Sequence, residues 1–168
     1  MVQLFQIIKK IIKPDIYFFS DISKEYKVLN FGCGRLKDDS HIGIDIDKNS
    51  FADFIISKED NHRLPFDDCE FDYVISRYVF EHIDNLEILL AEISRILKPE
   101  GILRFSVPHV WSIDAYDDPT HLNFFTIRSM CWFCRDQAPN VVYVKNYFKN
   151  YSVYLRVTLG WPRLFFIR

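Results

Sequence analysis

Two short segments hold the residues best suited to ligand chemistry. Val28-Leu29-Asn30-Phe31-Gly32-Cys33-Gly34 runs from an apolar stretch into a glycine turn, and Gly43-Ile44-Asp45-Ile46-Asp47 follows a few residues later. A turn without side chains lets a ligand lie against the backbone. A carboxylate at the end of the next strand can accept hydrogen bonds from a ribose diol. Together the two segments describe a nucleoside pocket at the carboxyl edge of a parallel sheet. A dinucleotide fold would place a third glycine three residues after the second. Lys37 stands there instead, which disfavours a pyrophosphate seated on a helix N-terminus.

The stretch from His109 to Thr126 is the other concentration of polar chemistry, with Asp114, Tyr116, Asp117, Asp118, Thr120, His121 and Asn123. It leaves a predicted strand at Pro108, so it lies over the same carboxyl edge, where open α/β sheets bind ligands. A histidine titrates near neutral pH and can take a hydroxyl proton. His121 is the first choice for general base and His109 the second; the plain alternative is a histidine that satisfies loop carbonyls. Two histidines and three aspartates also have metal-ligand chemistry, but their spacing matches no recognised site, and no metal is expected. Cys131-Trp132-Phe133-Cys134 is a lone Cys-x-x-Cys pair. Without a second pair it reads as two packed thiols.

The elements that would position these residues alternate. Lys27 to Phe31, His41 to Ile46, Phe54 to Ile56, Phe71 to Ser76 and Gly101 to Val107 read as strands. Tyr73-Val74-Ile75 has the unbroken apolar character of a strand buried on both faces. Leu86, Leu89, Leu90, Ile93, Ile96 and Leu97 recur at helical spacing, so Asn85 to Leu97 reads as a helix, with Asp84 or Asn85 as cap and Lys98 to Gly101 as stop. Thr126 to Cys134 reads as helical. Val141 to Tyr151 and Ser152 to Leu159 read as a closing antiparallel pair. Alternation of strand and helix predicts an α/β fold, a Rossmann-like, mostly parallel sheet with helices on both faces and a C-terminal antiparallel hairpin. Only Arg35 to Ser40 separate the glycine turn from the second strand, although a parallel crossover normally needs a dozen or more residues. Either the first helix is vestigial or these strands end elsewhere.

The chain has 168 residues, nearly half of them apolar and 17% aromatic. That fits one domain over 1–168, a helical extension at 1–24 and a core at 25–168, and it excludes disorder. A net charge of −2 supplies no basic field for nucleic acid. Four cysteines without framework spacing point to a reducing, cytoplasmic compartment. Met1 to Lys13 sets Leu4, Phe5, Ile7, Ile8, Ile11 and Ile12 against Lys9, Lys10 and Lys13. This amphipathic segment either packs on the domain or lies on a membrane surface with its lysines on phosphates.

Further motifs complete a series. After the two glycine segments come Leu64-Pro65-Phe66-Asp67-Asp68, Glu81-His82-Ile83 and Arg95-Ile96-Leu97-Lys98-Pro99-Glu100-Gly101, in that order. The series, over about Lys27 to Val107, resembles the class I S-adenosylmethionine-dependent methyltransferases, in particular small ones with a shortened first crossover. The resemblance implies a seven-stranded sheet with its last strand antiparallel, and S-adenosyl-L-methionine as cofactor. It implies that Gly32, Cys33, Gly34 and Asp45 hold the cofactor, with Asp45 on the ribose, Asp60 on the adenine amino group, and Asn30 at the methionine end, where the family usually has an acid. The Glu81-His82 pair matches the family's own pair and reads as mainly structural, ordering the loop and the next helix. The Asp-Pro-Pro-aromatic signature of methylation at exocyclic nitrogen is absent from Ser76-Arg77-Tyr78. The resemblance to small methyltransferases of this kind implies O-methylation of a small molecule or glycan as the activity. A catalytically silent binding module that keeps the fold is the alternative, motivated by Asn30, the missing third glycine and the short crossover.

Overall fold

The structure, a computed structural model, describes residues 22–58, 63–134, 147–149, 152–158 and 161–167, the last two stretches as backbone. Met1 to Lys13, Asp60 and most of 141–151 therefore lie outside the described residues.

Seven strands form one sheet in the order β3-β2-β1-β4-β5-β7-β6. They are β1 (Val28–Phe31), β2 (Ile42–Asp45), β3 (Phe54–Ile55), β4 (Phe71–Arg77), β5 (Leu97–Pro108), β6 (Ser152–Thr158) and β7 (Trp161–Ile167). The first five pair in parallel, and β7 runs antiparallel to both β5 and β6. All of β1 is buried, as an apolar strand central to a sheet covered on both sides must be. The predicted α/β sheet and its closing antiparallel pair are present, but the pair sits later in the chain than expected. It joins 152–158 to 161–167 rather than 141–151 to 152–159. Aromatic and β-branched residues run through both windows, so composition alone does not fix the turn.

Helix α1 (Leu86–Ile96) connects β4 to β5. It buries Leu89, Leu90, Ile93 and Ile96 on one face, with Glu87 in its first turn and Arg95 in its last, each favourable to the helix dipole. Full burial of such side chains is worth about 1.5–3 kcal/mol apiece. The helix passes directly into β5, and Lys98 to Gly101 bulge out between the pairings Phe71↔Leu97 and Tyr73↔Ile102. Glu100 takes a positive φ of 65° there. The helix expected over Thr126 to Cys134 is instead a short 3₁₀ segment, Ser129–Phe133. Both Cys131 and Cys134 are buried as thiols rather than joined in a disulfide.

The short first crossover is real. The strand ends lie within a residue of where they were expected, and the described residues between β1 and β2 contain no helix. Side chains do the work of the missing helix. The Leu36 carbonyl accepts Asn30 Nδ2 at 3.2 Å and Arg77 Nη2 at 2.6 Å. Lys37 Nζ reaches both Asp53 oxygens, at 2.8 and 3.0 Å. Lys37 and Cys33 lie against Gly43, where an added Cβ would come within 2.5 Å of Lys37 Cδ and 2.9 Å of Cys33 Sγ. Gly43 therefore gives the loop room to lie flat on the sheet.

Candidate active site

The carboxyl ends of β1, β2 and β4 open onto a cleft of about 830 Å³, within the size range of small-molecule and cofactor sites. Phe31, Gly32, Ile44, Ile46 and Ile56 give it apolar walls, and Asp45 supplies a carboxylate. Gly32 turns the chain at a φ of 66°, and a Cβ on it would run into the Val79 side chain. Gly34 also has positive φ, 52°, and faces open space. Asp45 accepts the Gly34 N–H at 2.7 Å on one oxygen and the Asp47 N–H at 2.8 Å on the other. Each carboxylate oxygen has a second lone pair, so Asp45 shapes the glycine turn and can still accept from a ligand.

Predicted residues divide here. Gly32 and Asp45 line the cleft, with Gly34 bonded to Asp45 directly behind. Asn30 and Cys33 do not line it. Asn30 is buried with its amide turned to the Leu36 carbonyl. A carboxylate at that position could not donate this bond, which gives Asn30 a physical reason in place of the family's acid. Burial, followed by the nearby Asp45 charge, pushes the Cys33 thiol pKa up, so it is a packed thiol rather than a reactive one. Asp60 lies outside the described residues.

The opposite rim is built on an aromatic anchor. Phe80, fully buried, stacks on Phe105 with centroids 4.4 Å apart. It begins the 3₁₀ turn Phe80–His82. The 109–125 loop is strapped to that turn. Leu122 and Asn123 donate backbone N–H groups to the Glu81 carbonyl at 2.7 and 3.0 Å. Asn123 Nδ2 reaches the Phe80 and Ile83 carbonyls at 3.1 and 2.6 Å. This strap brings His121 beside His82, with ring centroids 4.7 Å apart. His82, Thr120 and Leu122 line the cleft, together with Arg77 and Lys58.

His121 does not itself line the cleft but lies behind His82, which does, and His109 is farther off in the fold of its own loop. His109 is buried at the end of β5, its Nδ1 accepts the Trp111 N–H at 3.2 Å, and burial lowers its pKa. It satisfies the loop that it begins. Glu81 is the group that the sequence did not flag as chemical. It is 1% exposed, neither carboxylate oxygen has a hydrogen-bond partner among the described residues, and burial pushes its pKa up to about 8.

The family described as a methyltransferase domain matches residues 29–105, the span that builds the cleft. Over those residues the chain resembles the class I S-adenosylmethionine-dependent methyltransferases. The chain is 31% identical, over 75 residues, to a sterol 4-C-methyltransferase of Caenorhabditis elegans, an alignment covering 45% of this chain. The chain spans about a fifth (22%) of that relative's length. Two solved structures share the fold over nearly the whole of both chains. An S-adenosylmethionine-dependent methyltransferase from Archaeoglobus fulgidus is 18% identical with a TM-score of 0.62, covering 97% of this chain and 98% of that one. Another from Methanosarcina mazei is 15% identical with a TM-score of 0.58, covering 90% and 95%.

The cleft fits the family's cofactor. Asp45 has lone pairs for the ribose diol, and the Gly32 cradle leaves no side chain between ligand and backbone. Ile44, Ile46 and Ile56 offer apolar surface to a purine, and Arg77 offers a cation to a carboxylate.

Proposed function

We propose that this methyltransferase carries the methyl group of S-adenosyl-L-methionine to an oxygen of a small molecule or glycan. The cofactor supplies an activated methyl on a sulfonium. The chain's own residues must then bind, align, exclude water and hold a proton. Asp45 and the Gly32 turn would bind the nucleoside, with Asp60 on its adenine side and Arg77 at the amino-acid end. The acceptor would enter at the wall formed by His82 and Thr120, with His121 behind it, where an imidazole can take its proton. Ala115 and Thr120 hold the two imidazoles in place. Exposed Trp111, Ile113, Leu122 and Phe124 surround this rim, which suits an acceptor with an apolar portion, such as a lipid-linked saccharide.

The observation that carries the reading is a carboxylate with spare lone pairs, facing a glycine turn inside a large cleft. Incubation with methyl-labelled S-adenosylmethionine and a panel of hydroxyl-bearing acceptors tests it. Transfer to oxygen that falls at least about tenfold in Asp45→Ala supports it. Binding without transfer to any acceptor would favour the catalytically silent module. Lipid-dependent activity that is lost on removing residues 1–13 would support membrane contact by that segment.

A further inference from the structure

Glu81, His82 and His121 each place one ligand-type atom within 4.8 Å of the others. Two of these residues are adjacent in sequence and the third comes from the strapped loop, so the grouping exists only in the fold. Glu81 is buried, and both its oxygens lack a partner. A buried carboxylate without donors is costly unless something positive approaches it.

The hydrogen bonds around the imidazoles fix which nitrogens are available. Thr120 Oγ1 donates to Asp118 Oδ1 at 2.6 Å. Its remaining role toward His82 Nδ1, at 2.9 Å, is that of acceptor. His82 therefore carries its proton on Nδ1 and presents a lone pair on Nε2. His121 Nδ1 faces the Ala115 carbonyl at 3.1 Å, so it too is protonated there and presents Nε2. Carbonyl and hydroxyl partners on the far nitrogen are how metal-binding histidines are oriented. Asp118 Oδ2 lies 3.9 Å from His121 Nε2, within reach as a further oxygen ligand.

We propose that Glu81, His82 and His121 form a binding site for a divalent first-row transition ion of zinc's class. Two imidazoles and one carboxylate suit zinc, cobalt or iron rather than magnesium or calcium, which take mostly oxygen. Ligands about 2.1 Å from a tetrahedral ion lie about 3.4 Å apart, so atoms within 4.8 Å of one another would need to approach by roughly 1.4 Å at most. The ion would sit beside the cleft wall formed by His82 and Thr120. Where the methyltransferase reading also holds, it would receive the acceptor's oxygen. With both imidazole lone pairs on the ion, neither histidine takes the proton; the acceptor's O–H gives it to solvent instead, an oxygen lone pair forms the new O–C bond, and the S–C pair returns to sulfur. The site itself does not depend on that reading.

The test is a Co²⁺ titration of the full, chelator-treated chain, followed by visible absorption and thermal melting. One Co²⁺ per chain, a visible ligand-field band without thiolate character and a raised melting temperature are expected. Glu81→Gln and His121→Gln should each weaken binding at least about tenfold. His41→Ala and Cys69→Ser should bind as the wild type does. Melting without metal shows whether each variant folds, and Glu81→Gln, which removes an unpaired buried charge, is the one expected to fold best. Absence of the band and of any melting shift at millimolar Co²⁺ overturns the proposal, as does equal binding by wild type and both variants. S-adenosylhomocysteine binding measured on the same samples separates the two readings. Cofactor binding without Co²⁺ binding rejects the metal site alone.

Discussion

Glu92 and Glu81 are both buried glutamates, one on α1 and one at the cleft rim, and their surroundings are opposite. Glu92 accepts the Leu64 N–H at 2.8 Å and is clasped by the Arg95 guanidinium, which also holds Asp68. Burial works against its charge, but Arg95 and the Leu64 N–H prevail, and its pKa is lowered. Glu81 has no donor for either oxygen, and burial raises its pKa to about 8. The first acid is completed by its own chain and ties the Leu64 segment to α1. The second is left incomplete among the described residues, next to His82 of the cleft wall. A fold tolerates an unpartnered buried carboxylate where function uses it.

Breaking the completed acid should have the largest effect. Arg95→Ala strands a buried charge and should cost about 3 kcal/mol in urea unfolding. The two glutamates should then answer pH with opposite signs. Glu92, with lowered pKa, contributes stability present above about 4.5 and lost as pH falls below it. Glu92→Gln should therefore destabilise at neutral pH and matter little in acid. Glu81, with raised pKa, is favourable while protonated, and that contribution is lost as pH rises from about 4.5 through about 8. In chelator-treated protein Glu81→Gln should stabilise increasingly over that window, by about 2–4 kcal/mol at its upper end. Equal pH profiles for the two variants would remove the contrast.

The same contrast recurs on a smaller scale between Asn30 and Asp45. Asn30 serves the loop and Asp45 faces the cleft. Asn30→Asp turns an acceptor toward the Leu36 carbonyl and should cost about 1–3 kcal/mol of stability, read by thermal melting. Gly43→Ala should cost about 1–3 kcal/mol, because the added Cβ would press on both the Lys37 stem, held at its tip by Asp53, and the buried Cys33 thiol.

Much of this was legible in local sequence. β1, β2, β4 and α1 announced themselves through unbroken apolar runs and helical spacing, and Gly32 and Asp45 through their place at strand ends. What sequence could not supply was partnership across distance. Lys37 was read as filling the place of a glycine, and it also anchors the crossover through Asp53. Asn30 looked like a weakened cofactor ligand, and it is the donor that holds Leu36. His121 was preferred to His109 without a positional reason, and the strap through Asn123 supplies one by setting His121, not His109, beside the cleft-lining His82. Glu81 read as a helix-ordering acid because its burial and its proximity to His121 are products of tertiary packing. The closing hairpin was displaced because two aromatic windows carry the same pattern and differ only in where the chain reverses.

The central claim is that Asp45 and the glycine turn seat an adenosyl group. Calorimetric titration of S-adenosylhomocysteine into the full chain and into Asp45→Ala measures it directly. Saturable binding to the wild type, weakened at least about tenfold in the variant, is the predicted result. No heat at millimolar ligand, or equal affinity in the two proteins, would contradict it.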